Sequence, residues 1–276
     1  MKSYTPEEQI ICYIARSFGP EDNYAVLATS VTGLIALVLA RELYAPRLSV
    51  INLAGGKYAF TRDVRFPYIH DKLPGECIET LFDTEDVFEM VTGGKYFIIM
   101  QPLQIDKQGH TNLSLLGDKC RPARCFVGSR NAPSNTVNMP RTLYFVPQHS
   151  KRVYVDKVDF ISGVGYGEER KQSSMKWGLP IEVISDLCVI DFEENSGRAR
   201  LKSMHTGVSV EKIRENTGFD LIMAEGMPET APPAENELQL LRETIDPLGM
   251  RRLDFLKGEE YKRLVAELMA KVPATQ

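Results

Sequence analysis

The chain has 276 residues, 43% of them hydrophobic and 25% charged, with a net charge of -4, ordinary values for a soluble globular protein long enough to bury a substantial core. The negative balance excludes nucleic acid or an anionic membrane as the main partner, while a local positive patch for a small anion stays open. The five cysteines (Cys12, Cys77, Cys120, Cys125, Cys188) are odd in number and scattered, which excludes a disulfide framework; Cys120 and Cys125 lack zinc-site spacing, so reduced thiols are expected.

The opening MKSYTPEEQI carries two glutamates where a signal peptide needs an apolar core. The apolar run GLIALVLA (33–40) is too short to cross a bilayer, so a cytoplasmic protein is expected.

Thr5-Pro6-Glu7-Glu8 predicts a helix start, with Thr5 as N-cap, Pro6 in the first turn and Glu8 closing a capping box; the helix should reach Phe18 and stop at Gly19-Pro20. YAVLAT (24–29) reads as a short buried strand, which turns at Ser30 into the apolar helix VTGLIALVLAREL, and LSVIN (48–52) as the next strand. Strand, helix, strand at this spacing is a βαβ unit and therefore a parallel sheet. Residues 83–91 read as another helix, ended by Gly93-Gly94, and KYFIIM (95–100) as a third parallel strand, whose carboxyl end leads into the polar segment QPLQIDKQGHTNLSLLG. In open α/β sheets, that end of the strands is where ligands bind.

From about residue 141 the pattern becomes β-rich: TLYFV, RVYVDKVDFI, IEVISDLCVIDF and RARLKSMH read as strands, divided by turns such as Glu194-Asn195-Ser196-Gly197. Ser209 caps a helix VEKIRENTG that Gly218 ends, and after a Pro-rich passage (228–233) two helices, ELQLLRE and EEYKRLVAELMAKV, close the chain within residues 235–272. The expectation is one α/β domain over residues 1–276, an open, mostly parallel sheet flanked by helices with a β-rich second half.

The residues alone supply little chemistry. The four histidines (His70, His110, His149, His205) are too scattered for a metal cluster, so no metal is expected. Neither a Gly-x-Gly-x-x-Gly after the first strand nor a Gly-x-Ser-x-Gly elbow is present. Three loops, at 52–56, 104–112 and 128–138, are expected to face a ligand, and Asn135 and Asn138 to form turns.

The segment QIDKQGHTN (104–112) resembles the Gln-Ile-Asp-Lys-x-Gly-x-x-Asn stretch of the β subunits of family I CoA-transferases, of the glutaconate CoA-transferase type. KRVYVDKVDFISGVGY (151–166), VISDLCVIDFEENSGRARLKSMHTGVSVEKIRENTGF (183–219) and IDP (245–247) follow in that family's order, so the resemblance covers about residues 24–247. It implies a CoA-transferase-like fold, a homologous α subunit as partner in an α2β2 assembly, an active site between the two subunits, and coenzyme A present as part of a thioester substrate. In such transferases a β-subunit glutamate attacks the thioester, giving an acyl anhydride and then a glutamyl-CoA thioester.

Leu53 stands where that glutamate belongs, and its neighbours Asn52, Ala54 and Gly55 carry no carboxylate. Covalent catalysis from this position is excluded. Pro102 precedes the Gln-Ile-Asp run where the family carries small residues, and it has no amide hydrogen to give an oxyanion. Branches of the family without the glutamate hydrolyse a carbon–carbon bond in a steroid ring intermediate, with a glutamate of the α subunit, or decarboxylate a CoA thioester. RNAPSNTVN (130–138) resembles the ring-cleaving branch, and Arg130 falls on an arginine found there, suited to fork onto a carboxylate or to stabilise an enolate oxygen.

The resemblance therefore implies substrate-binding positions at Asn52, Gly55, Gly56, Gln104, Asp106, Gly109, Asn112 and Arg130, with no catalytic residue in this subunit. Two alternatives stand beside carbon–carbon hydrolysis or lyase chemistry: a true CoA-transferase, which needs Glu76 or Glu79 to reach the pocket, and a non-catalytic subunit that scaffolds or binds a CoA ester.

Overall fold

The computed structural model describes residues 4–27, 30–54, 57–61, 78–94, 97–126, 128–129, 132–171, 179–223 and 226–271. In chain order they form α1 (Pro6–Arg16), β1 (Tyr24–Leu27), α2 (Val31–Leu43), β2 (Ser49–Ala54), β3 (Lys57–Thr61), β4 (Ile78–Phe82), α3 (Thr84–Thr92), β5 (Phe97–Met100), β6 (Gln104–Ile105) and β7 (Thr111–Asn112). Then come β8 (Leu115–Asp118), β9 (Arg121–Cys125), α4 (Ala132–Asn138), β10 (Arg141–Val146), α5 (Glu168–Lys171), β11 (Ile181–Ser185), β12 (Cys188–Phe192), β13 (Ala199–Met204), α6 (Val210–Asn216), β14 (Ile222–Met223), α7 (Glu235–Leu240) and α8 (Gly258–Lys271). The chain divides into two compact units, residues 1–88 with 233–276, and residues 89–232.

In the first unit the expected βαβ is present. The α1 start carries the full capping box, with Thr5 Oγ1 accepting from the Glu8 amide and Glu8 Oε2 from the Thr5 amide at 2.9 Å. Ser30 caps α2 by accepting from the Gly33 amide at 2.9 Å. The helix it starts is buried from Val31 to Ala40, as its all-round apolar surface requires. β1 and β2 pair in parallel, Tyr24 opposite Ser49. β3 and β4 then extend this side antiparallel, two strands absent from the sequence reading. Two buried carboxylates tie the C-terminal segment to α1: Glu8 accepts from Arg242 Nε and Nη2 at 2.8 Å each and from Arg251 Nη2 at 3.1 Å, and Glu237 from Arg16 Nε at 2.8 Å and Tyr44 Oη at 2.6 Å. Such pairs hold position because removing either partner leaves a buried charge uncompensated.

The second unit is built on strands in the order β14-β13-β12-β11-β10-β5. β10 pairs in parallel with both β5 and β11, β12 is antiparallel to β11 and to β13, and β13 is parallel to β14. The parallel strands FIIM and RTLYFV are nearly continuous buried runs, whereas β13 alternates buried and half-exposed residues, the patterns of a sheet covered on both faces and on one.

Two expectations are corrected here. RVYVDKVDFI does not form a strand; it is held to β6 by single bonds, the Ile105 amide to Val153 O at 2.7 Å and the Val155 amide to Ile105 O at 3.0 Å. Its alternation reflects Tyr154 and Val158 plugging the core, without a ladder. The stretch 132–138, read as loop, is helix α4. Asn138 Nδ2 donates back to Ser134 O at 2.9 Å and Asn135 O accepts from the Met139 amide at 3.0 Å, so these asparagines sit inside a helix and its end. Burial of Ala132, Asn135 and Thr136 outweighs the weak helix propensity of Ser, Asn and Thr.

Candidate functional site

The segment QIDKQGHTN is a two-rung hairpin, Gln104 opposite Asn112 and Ile105 opposite Thr111, just beyond the carboxyl end of β5. Its polar side chains bind one another. Gln104 Oε1 accepts from Asn112 Nδ2 at 2.7 Å and from the Asp159 amide at 3.0 Å, while Asn112 Nδ2 also donates to Leu115 O at 2.6 Å. Asn112 Oδ1 accepts from the Ser114 amide at 2.9 Å and starts the next turn. Asp106, buried, closes the hairpin loop by accepting from the amides of Gln108 at 3.0 Å and His110 at 3.1 Å. Gly109 has φ +76°, and a Cβ there would lie 2.9 Å from the Phe192 ring; both constraints demand glycine.

His110 sits inside this loop, 3% exposed. Its Nδ1 is 3.3 Å from Asp106 Oδ2, and its Nε2 is 3.2 Å from Glu169 Oε2, close enough for an ion pair but off the line of a hydrogen bond. Burial opposes the charged ring, but the bond to Asp106 and the charges of Asp106 and Glu169 outweigh it and raise the pKa. The segment 163–167 lies hard against this loop: a Cβ on Gly165 would stand 2.1 Å from Gln108 O, and one on Gly167 2.3 Å from the His110 ring. Buried Arg170 then donates to the carbonyls of Gly165 at 2.7 Å, Thr136 at 2.6 Å and Val164 at 3.2 Å, clamping α4 to the same segment. Burial lowers its pKa, yet guanidinium keeps its proton in proteins.

A second polar group lies beyond β10 and β11. His149 Nε2 is 3.0 Å from Thr217 Oγ1, whose own proton goes to Ile213 O at 2.8 Å, so the ring nitrogen is the donor. Ser185 Oγ accepts from the amides of Leu187 and Cys188 at 3.2 Å each, and its one proton has two acceptors in reach, Cys188 O at 3.2 Å and His149 Nδ1 at 2.8 Å. The ring stacks on Tyr154 with centroids 3.8 Å apart. Burial, with His205 nearby, pushes its pKa down to about 3, and burial pushes the Cys188 thiol up to about 12. A neutral imidazole and an un-ionised thiol make this a packing element rather than a nucleophile pair.

Of the positions singled out in the sequence, Gln104, Asp106, Gly109 and Asn112 come together in one loop. Asn52 and Leu53 lie on β2, opposite Ala59 and Tyr58 of β3. Gly55, Gly56, Arg130 and Glu76 fall outside the described residues, and Glu79 lies on β4. His110, Glu169 and Arg170 were not singled out; Asp106 lies only four positions from His110, but Glu169 and the main-chain carbonyls that Arg170 binds are brought in by the fold, which no local motif reveals. Among the described residues no group of three His, Cys, Asp or Glu side chains is placed to hold a metal ion, and no helix is long and apolar enough to cross a membrane.

No family model matches the chain. It is 35% identical over 244 residues to the cholesterol ring-cleaving hydrolase IpdB subunit of Mycobacterium tuberculosis, covering 87% of this chain and 95% of that one. The crystal structure of Rhodococcus jostii RHA1 IpdAB superposes with a TM-score of 0.77 at 30% identity, covering 93% of this chain and 100% of that one. Glutaconate coenzyme A-transferase of Acidaminococcus fermentans matches with a TM-score of 0.76 at 23% identity, covering 93% and 99%, a likeness of fold. On this combination of fold, loop and identity, the chain belongs to the β subunits of the family I CoA-transferases, in the group of the IpdB subunits.

Proposed function

We propose that this chain, acting as one CoA-transferase-like domain, is the β subunit of a heteromeric cytoplasmic enzyme that breaks a carbon–carbon bond in a CoA thioester of a catabolic intermediate. The catalytic carboxylate comes from a homologous α subunit in an α2β2 assembly. The observation that carries this reading is Leu53. It occupies the second-last place of β2 (Ser49–Ala54), where the resemblance puts the transferase nucleophile, and a leucine can neither attack a thioester nor form an anhydride. The name of the relatives, a ring-cleaving hydrolase, supports hydrolysis as the chemistry and a steroid-derived ring as the substrate class.

Hydrolytic ring opening has simple electronic requirements. A carboxylate takes a proton from water, the oxygen adds to a ring ketone, and the carbon–carbon bond breaks with its electron pair moving toward the thioester as an enolate. The substrate is then a cyclic β-ketoacyl-CoA, because only a ketone at that distance leaves the electrons conjugated with the thioester carbonyl. Arg130 binds the oxyanion or enolate. Gly55 and Gly56 keep the backbone bare beside Asn52, and Gln104, Asp106, Gly109 and Asn112 shape the pocket wall, since the polar side chains among them are used in holding the loop and in joining it to Asp159.

The test is turnover by the reconstituted αβ complex of cyclic β-ketoacyl-CoA thioesters graded in ring number, run in heavy-oxygen water with acetate present. The reading expects a ring-opened acid that keeps its thioester and carries one heavy oxygen in the new carboxylate. Transfer of CoA to acetate, or intact rings throughout the series, would contradict it.

A further inference from the structure

His110 is an ionisable ring that the proposed chemistry leaves unused, and it sits between two carboxylates. Its Nδ1 lies 3.3 Å from Asp106 Oδ2 on its own loop, and its Nε2 lies 3.2 Å from Glu169 Oε2 on α5. Gly167 closes over the contact: a Cβ there would stand 2.3 Å from the ring's Cε1, 2.5 Å from Nε2 and 2.7 Å from Glu169 Oε2. Nε2 is buried and makes no hydrogen bond.

The two carboxylates differ in their freedom. Asp106 is buried, and its Oδ1 accepts from the amides of Gln108 and His110, so it cannot turn away without undoing the hairpin loop. The Glu169 side chain is 52% exposed and can swing into water by a change of rotamer. The ring's protonation decides whether both contacts hold. An imidazolium presents an N–H to each carboxylate, whereas a neutral ring has one N–H to give. With that proton on Nδ1, toward Asp106, the Nε2 lone pair faces Glu169 Oε2; with it on Nε2, the Nδ1 lone pair faces buried Asp106. The first arrangement costs less, because the repulsion then falls on the side chain that is able to move.

The other titratable side chains described around the ring are engaged elsewhere or lie at the surface. Lys107 Nζ reaches Asp156 at 2.8 Å, and the Tyr166 hydroxyl accepts from the Ile181 amide at 3.4 Å. On α5, Glu168 is exposed and Arg170 is bonded to main-chain carbonyls. From β12 the uncharged Phe192 packs on Gly109; Asp191 beside it pairs with Arg200 at 2.7 Å, and Glu193 accepts from the amides of Asn195 and Ser196. Burial opposes the ring's charge, but Asp106 and Glu169 outweigh it and raise the pKa.

We propose that His110 is a proton-gated latch: as imidazolium it ties Glu169, and with it the start of α5, to the 104–112 loop, and on losing its proton it releases Glu169. Because Arg170 of the same short helix holds Thr136 O, the latch sets how tightly α4, the segment 163–167 and the loop are held together. It is closed on the acid side and opens as the pH rises through the ring's folded value. It is a property of the second unit and does not rest on the proposed reaction.

Two measurements on the reconstituted αβ complex test it. The first is hydrogen exchange at the Arg170 amide, which donates to Gly167 O at 3.1 Å, expressed as protection so that intrinsic base catalysis cancels. Protection is expected to fall about tenfold between about pH 6 and about pH 9, the order of one lost hydrogen bond, and to stay level in His110→Gln and in Glu169→Gln. The second is the ring titration of His110 by NMR. Its midpoint is expected above 6.5 in the wild type and lower in Glu169→Gln, a change at a half-exposed side chain that leaves the bonds of Asp106 in place. Level protection in the wild type, or an equal fall in His110→Gln, overturns the latch. So does a ring midpoint that Glu169→Gln leaves unmoved, since Glu169 would then not hold the ring's charge.

Discussion

Acid sensitivity of the second unit should trace to His149. Both of its ring nitrogens are engaged inside the core, Nε2 with Thr217 Oγ1 at 3.0 Å and Nδ1 with Ser185 Oγ at 2.8 Å, and the lone pairs of that hydroxyl already take two amides. A second ring proton on Nδ1 would face a hydroxyl with no lone pair left to receive it, inside a site 4% exposed. The folded ring therefore binds a proton only near pH 3, against 6.5 for the ordinary side chain. Between those values the unfolded chain carries the extra proton, so stability is present above pH 6.5 and is lost as the pH falls. Linkage gives a loss of about 2 kcal/mol at pH 5 and about 3 kcal/mol at pH 4 from this residue alone. Urea unfolding of wild type and His149→Gln, measured from pH 7 to pH 4, isolates it, because carboxylates titrate equally in both. Gln keeps the bond to Thr217 but does not titrate, so the variant starts less stable and the gap should narrow on acidification by that amount. A gap that stays constant across the range would refute the reasoning.

His110 should behave with the opposite sign. Its folded pKa is raised, so its stabilising contribution is complete below pH 6.5 and disappears as the pH rises through the folded value; an imidazole NMR titration should place His110 above 6.5 while His149 stays neutral to the acid limit. The glycines rank by what a methyl group would strike. Gly165→Ala, 2.1 Å from a main-chain carbonyl oxygen, should cost more than Gly109→Ala, which meets the edge of the Phe192 ring, and both should exceed about 1 kcal/mol in urea unfolding.

Local signals in the sequence were enough for the helix starts and for the βαβ unit. Thr5, Ser30 and Ser209 each cap within three residues of the amide they accept from, and the long apolar helix α2 has no alternative to burial. The β3–β4 pair was hidden because the glycines before it drew attention to a ligand turn and its strands carry lysine, threonine and glutamate. The strand expected at 152–161 had the right alternation but no neighbour to pair with beyond Ile105. Helix α4 depends on burial of Thr136 and on carbonyls gripped by Arg170, thirty-four positions later. The same distance effect governs the site. The 104–112 loop was recognisable by resemblance, and Leu53 by its departure from it, but the bonds joining Ser114 to Ser129 and Ser162 span 15 and 48 positions, and only the folded chain brings them together.

The central claim is that this subunit shapes and binds while its partner supplies the reacting carboxylate. Mass measurement of both intact subunits during turnover of a CoA thioester, with hydroxylamine or borohydride trapping in parallel, tests it most directly. The account predicts that this chain keeps its unmodified mass at every time point, as Leu53 requires. A CoA adduct on any carboxylate of this chain, Glu76 and Glu79 included, would contradict it.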